Sequence, residues 1–227
     1  VEDGKLVVET LQETGLWYKE NFPATAVSTI TALEDWSDED RRSVWYDCKN
    51  YRLNLYAEKG RFWIRDIYIF DEKYTERYLD KTCKTDFLTY DNLPFVDGNR
   101  FSGNGKRSGL YPTTNESDTI QGMEYDEMIY QEKNGEAIVI FTGTPCGDVT
   151  FTLSEKGFSV DYAGDTPLLL AHVYNDAAAS IPGIKLVSDK KLELSYDDFV
   201  YNIELEVGLF TNKDIIKSEG KSLSINL

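Results

Sequence analysis

The chain has a single histidine, His172, and three cysteines, Cys48, Cys83 and Cys146, none of them in a Cys-x-x-Cys pair. An odd, widely spaced set argues against a full disulfide framework; one bridge plus a free thiol is the most it supports. A Cys/His zinc site would require all of these remote side chains to converge, so no metal site is expected from them. No apolar run approaches the ~18 residues of a membrane span, and membrane insertion is not expected. A secretory leader is missing too, but the first residue is Val1, so that absence carries no weight.

Positive charge is scarce. Lys and Arg number 24 against 40 Asp and Glu, a formal net charge of -16. Such a chain repels polyanions, whose binding depends on cations neutralising phosphates. Nucleic acid and anionic membrane surfaces are therefore unexpected partners, and neutral or cationic ones remain. Low-complexity tracts and Pro-rich linkers are also lacking, so the 227 residues are read as one domain, residues 1–227. That length buries a core without staples.

What is present is aromatic and alternating. Fifteen tyrosines and four tryptophans contribute to an aromatic content of 13%. Aromatic side chains favour strands and also form binding platforms. The stretch "YRLNLYAEKGRFWIRDIYIF" alternates on both sides of Glu58-Lys59-Gly60, which predicts a hairpin with a three-residue loop. That register sets Ala57 against Arg61, Leu55 against Trp63 and Arg52 against Asp66. Trp63 then shares a core face with Leu55, Ile67 and Ile69. Glu-Lys-Gly recurs at 155–157, and Asn134-Gly135 between two runs is a strong hairpin signal. Further strands are expected in "KLVVETL", "ATAVSTITAL", "TDFLTY", "IKLVS", "KLELSY", "FVYNIELEVGLF" and "SLSINL". Ser37 ahead of "DEDRRSVWY" reads as a helix N-cap, and "DEKYTERYLDKTC" as two or three helical turns. Together these predict an all-β fold, an antiparallel β-sandwich or jelly-roll-like domain with one or two short helices.

No motif fixes a chemistry. The least ordinary stretch, "DGNRFSGNGKRSGLYP" (97–112), holds four glycines and three basic residues. It reads either as a binding loop, with Asp97, Arg100, Lys106 and Arg107 toward a ligand, or as a wide solvated hairpin. As a phosphate cradle it lacks the required Gly-Lys-Ser/Thr spacing. Trp17 and Trp36, in polar contexts, are the tryptophans most suited to stacking on sugar rings. Five carboxylates among residues 34–40 offer hard oxygen ligands for calcium, but without EF-hand spacing; an acidic helix start needs fewer assumptions, and no cofactor is required. Asp66, among apolar neighbours, and Asp97 are weak candidates for catalytic carboxylates of a glycosidase type. An ion pair between Asp66 and Arg52 is the plainer reading. The function expected is a carbohydrate-associated module, extracellular or at the cell surface, that binds an oligosaccharide or other neutral ligand. The alternatives are a glycan-active enzyme and a structural or adhesion module with a protein or neighbouring-domain partner.

Overall fold

The computed structural model describes residues 8–79, 81–86, 92–115, 121–178 and 180–227. One sheet of ten strands contains β1 (Ser28–Ala32), β2 (Arg41–Asp47), β3 (Tyr51–Glu58), β4 (Arg61–Ile69), β5 (Leu93–Asp97), β6 (Gly109–Thr113) and β7 (Met123–Glu124). β12 (Leu169–Val173), β16 (Leu209–Asn212) and β17 (Ile215–Lys217) complete it. The second sheet has eight strands: β8 (Met128–Lys133), β9 (Glu136–Thr144), β10 (Gly147–Ser154), β11 (Gly157–Tyr162), β13 (Gly183–Ser188), β14 (Lys191–Tyr196), β15 (Phe199–Val207) and β18 (Ser222–Asn226). The ten-stranded sheet runs β1-β2-β3-β4-β6-β12-β17-β16, with β5 and β7 also paired to β4. The other runs β13-β14-β15-β18-β11-β10-β9-β8. Every strand pair is antiparallel. The fold is an all-β sandwich.

The alternation seen in the sequence explains the layers. Leu53, Leu55, Phe62, Ile64 and Ile67 of the first sheet join Val139, Phe141, Phe151 and Leu153 of the second in one buried cluster. Phe62 stacks on Phe141 with ring centroids 3.7 Å apart and meets Phe151 edge-on. Tyrosine hydroxyls stitch the layers at their margins: Tyr51 donates to the Ser154 carbonyl at 2.7 Å and Tyr201 to the Pro94 carbonyl at 2.5 Å. His172 of β12 lies at the rim of this interior, 5.1 Å from the Phe95 ring and 4.7 Å from that of Tyr174. Neither of its ring nitrogens has a hydrogen-bond partner among the described residues. Burial, with a smaller contribution from Lys213, pushes its pKa down to about 3.

Several local expectations change. The β3–β4 loop has two residues, Lys59 and Gly60, both left-handed at φ 52° and 69°. Glu58 therefore faces Arg61, Ala57 faces Phe62 and Tyr56 faces Trp63. This is a primed turn, whose twist suits a hairpin, reached with Lys in the conformation that Asn or Gly usually takes. The pairing slips once more between Leu55↔Ile64 and Asn54↔Asp66, which leaves Arg65 as a bulge. Arg52 thus lies opposite Tyr68 and bonds Asp47, while Asp66 bonds Arg65. Asn134-Gly135 forms the expected hairpin turn.

The helix expected after Ser37 is instead a loop leading into β2. Asp35 accepts main-chain N–H bonds from Ser37, Glu39 and Arg41, and Asp38 and Asp40 take positive φ before the strand starts. The segment 71–79 and 81–83 forms turns without a helix. The "KLVVETL" strand is overturned at its C-terminal end, because Leu11 opens α1 (Leu11–Asn21); residues 5–7 lie outside the described ones. Thr10 caps that helix, with Glu13 reaching back to it as a capping box. "FVYNIELEVGLF" divides at Gly208 into β15 and β16. Residues 87–90 of "TDFLTY" lie outside the described residues. Cys48 and Cys146 are buried free thiols and Cys83 is partly exposed, so no bridge forms. No described helix is long and apolar enough to cross a membrane.

Candidate functional site

The loop between β5 and β6 does not fan into solvent; it folds back on the outer face of the ten-stranded sheet. Asp97 begins it. Its Oδ1 accepts from the N–H groups of Asn99 and Arg100 at 2.9 and 2.7 Å. Its Oδ2 accepts from Arg100 Nε at 2.5 Å and the Tyr68 hydroxyl at 3.0 Å. Burial alone would raise this carboxyl's pKa, but the Arg100 bonds and charge, with Tyr68, outweigh it and hold the group below its ordinary value. Arg100 reaches on to Asn92 Oδ1 at 2.9 Å, and Phe101 is fully buried. Asn104 and Gly105, at φ 52° and 77°, then form a tight turn closed by reciprocal bonds of 2.9 Å between Gly103 and Lys106. Lys106 pairs with Asp176 at 3.2 Å. Only glycine fits at 109, where a Cβ would stand 2.8 Å from Trp63 Cδ1.

Arg107 is the loop's contact with the sheet. Its Nη1 bonds Glu58 Oε2 at 2.5 Å, and its guanidinium lies 4.6 Å from the Trp63 ring centroid. Glu58 also accepts from Arg41 at 3.0 Å. Burial favours the protonated form of Glu58, but the two arginines prevail and lower its pKa. The same packing extends across the sheet. Arg107 and Arg65 flank Tyr56 at 5.9 and 5.0 Å, and Arg65 and Arg52 flank Trp45 at 5.7 and 5.6 Å. Trp63 stacks on Tyr111, centroids 5.7 Å apart. The result is a ladder of alternating guanidinium and aromatic plates, each contact contributing about 0.5–2 kcal/mol according to its exposure.

Beside this ladder opens a cavity of about 550 Å³. Trp63 and Tyr111 lie at its floor but are only 2% and 1% exposed, with the Arg107 guanidinium over the Trp63 ring. Lys59, Arg61, Lys106 and Arg107 supply four cations against one carboxylate, Glu58, and Gln121 adds an amide. Arg61 is braced by the Gly122 carbonyl at 3.0 Å and by Glu124. The Trp63 indole N–H has no partner among the described residues. The volume falls in the small-ligand range, and the convergent donors suit a ligand with hydroxyl or anionic groups.

The sequence-predicted residues divide into three groups. Lys106 and Arg107 line the cavity. Asp97 and Arg100 pair with each other a few residues away, and Asp97 lies directly opposite Asp66 across β4–β5. Asp66 and Asp97 are only 3% and 1% exposed, and each Asp66 oxygen also has a donor: Arg65 Nε at 2.6 Å and the Gly98 N–H at 3.0 Å. This is a structural clamp with no free carboxylate edge toward solvent. Trp17, on α1, and Trp36, 96% exposed in the loop after β1, lie apart from the cavity. Around Trp36, the acidic 34–40 stretch spends Asp35 on its own backbone. Among the described residues no three His, Cys, Asp or Glu side chains converge to hold a metal ion.

Trp63, Tyr111, Lys59 and Arg61 were not singled out as site residues from sequence. Trp63 was masked by its expected pairing with Leu55; one residue of register moves it to the opposite face. A larger cavity of about 630 Å³ lies between the turns at 73–78 and 81–85 and Asp197–Phe199, and none of the sequence-predicted residues line it. Comparisons with protein families, with curated proteins and with solved structures find no match to this chain.

Proposed function

We propose that the chain is a carbohydrate-associated β-sandwich module, working outside the cell or at its surface, that holds a short saccharide in the cavity beneath the 97–111 loop. One observation carries this reading: a cavity of about 550 Å³ gathers the donors of Arg61, Lys106, Arg107 and Gln121. Sugar rings carry a rim of hydroxyls, which these convergent donors complement. The clamped state of Asp66 and Asp97 favours binding over hydrolysis, since a glycosidase acid needs a carboxyl that can give up a proton to the leaving group. A screen of oligosaccharides by calorimetry tests it. Binding that weakens in Lys106→Ala, with unchanged melting temperature, supports the module; no binder across neutral and acidic glycans refutes it.

A second reading, a module with a protein or neighbouring-domain partner, is favoured by α1. The helix buries none of its residues and presents Leu11, Leu16, Trp17, Tyr18 and Phe22 to solvent. Concentration-dependent self-association abolished by Trp17→Ser with Leu16→Ser would support it, and a monomer at all concentrations would remove self-association.

A further inference from the structure

Resting on the glycan reading, we infer that the cavity selects a saccharide carrying a carboxylate, a uronic-acid-type sugar set in an otherwise weakly charged glycan. The net charge of -16 leads one to expect a neutral ligand. Locally the sign is reversed. Four of the 24 Lys and Arg side chains border this one cavity, with Glu58 as its single carboxylate.

The cations are also incompletely used. Glu58 accepts from both Arg41 and Arg107, Arg41 pairs with Glu39 as well, and Arg61 pairs with Glu124. The described bond of Arg107 to Glu58 uses Nη1, which leaves the rest of its planar fork for a second carboxylate. Lys59 makes no ion pair among the described residues, and Lys106 meets only Asp176 at an exposed site. Stacking on Trp63 and the tie to Glu58 hold the Arg107 plate in place before any ligand arrives, so little side-chain entropy is lost on binding. A carboxylate bonded by the open edge of Arg107, within the field of Lys59 and Lys106, uses the donors that this cavity exposes. The negative field of the whole molecule sets the upper limit. A densely charged polyanion is repelled before it reaches the cavity, whereas an isolated acidic sugar pays little. That distinguishes the ligand from nucleic acid and from highly sulfated chains.

The test is calorimetric titration of the whole chain with two trisaccharides that each carry one uronic acid, one galacturonate and one glucuronate, against their neutral galactose and glucose counterparts, at low and high salt. The acidic member should bind at least about tenfold more tightly in one pair, the size of a charged hydrogen bond. The advantage should shrink at high salt and vanish in Lys106→Gln and in Arg107→Gln. Lys106→Gln keeps the packing over Trp63, so its melting temperature should match the wild type, and it decides the matter if Arg107→Gln unfolds. Equal or tighter binding of the neutral members overturns the acidic selectivity while leaving the glycan reading intact. Silence from both members of both pairs overturns both. Displacement of a bound acidic trisaccharide by benzoate at comparable concentration also overturns the inference, since the cavity would then be reading a carboxylate without the sugar.

Discussion

His172 makes the stability of this protein depend on acidity in a calculable way. Its imidazole is buried beside Phe95 and Tyr174 with both nitrogens unpaired among the described residues, and its pKa falls from an ordinary 6.5 to about 3. In the unfolded chain the ring takes up a proton as pH drops through 6.5, whereas the folded chain resists until about 3. The stability contribution is therefore whole above pH 6.5 and drains as pH falls through that window. At about pH 4.5 the gap spans two units, or roughly 2–3 kcal/mol. Carboxylates titrate in the same range, so the wild type alone is not diagnostic. His172→Leu supplies the control: it cannot take a proton, it fills a similar space, and it removes two unpaired polar atoms. Urea unfolding of both proteins at about pH 7 and about pH 4.5 gives the comparison. The wild type should lose roughly 2–3 kcal/mol more than the variant between the two conditions, and the variant should be no less stable at neutral pH. Parallel losses within about 0.5 kcal/mol would refute the assignment of a neutral, desolvated ring.

Asp97→Asn should cost about 1–3 kcal/mol of folding stability, because it strips the buried ionised acceptor that half-buried Arg100 bonds; urea midpoints measure this, and a near-wild-type midpoint would show the clamp to be dispensable. Thr10→Ala should lower the helical circular-dichroism signal of α1 while leaving the melting temperature of the sandwich unchanged, since the helix buries nothing. A fall in melting temperature would mean that α1 packs on the sheets after all.

The fold was legible wherever burial imposed a period of two. β14, β15 and β18 bury alternate residues, and Asn134-Gly135 marked its turn because those residues readily adopt positive φ. The losses came from positions where side-chain chemistry overruled the average. Lys59 took a left-handed conformation that sequence would assign to Gly60 alone, and Arg65 was extruded as a bulge. Each error is a single residue, yet together they hid the outer-face position of Trp63 and replaced the Arg65–Asp66 bond with an Arg52–Asp66 pair. The capping box of Thr10 and Glu13 was readable and was passed over in favour of the Val-Val strand signal. Lys106 and Arg107 stood out by composition. Their partners in the cavity wall, 40 or more residues earlier in Lys59, Arg61 and Trp63, became visible only through the sheet pairing.

The guanidinium–aromatic ladder has a bearing on how this sequence can change over time. All eight arginines precede residue 108, and every cationic side chain beyond it is a lysine. Six of the eight, Arg41, Arg52, Arg61, Arg65, Arg100 and Arg107, serve the outer face of the ten-stranded sheet and its covering loop. A lysine in any ladder position keeps the charge and discards the plate, so an exchange that looks silent on a titration curve would open a gap between aromatic rings. Exchange of arginine for lysine should be resisted at Arg52, Arg65 and Arg107, the three plates of the ladder.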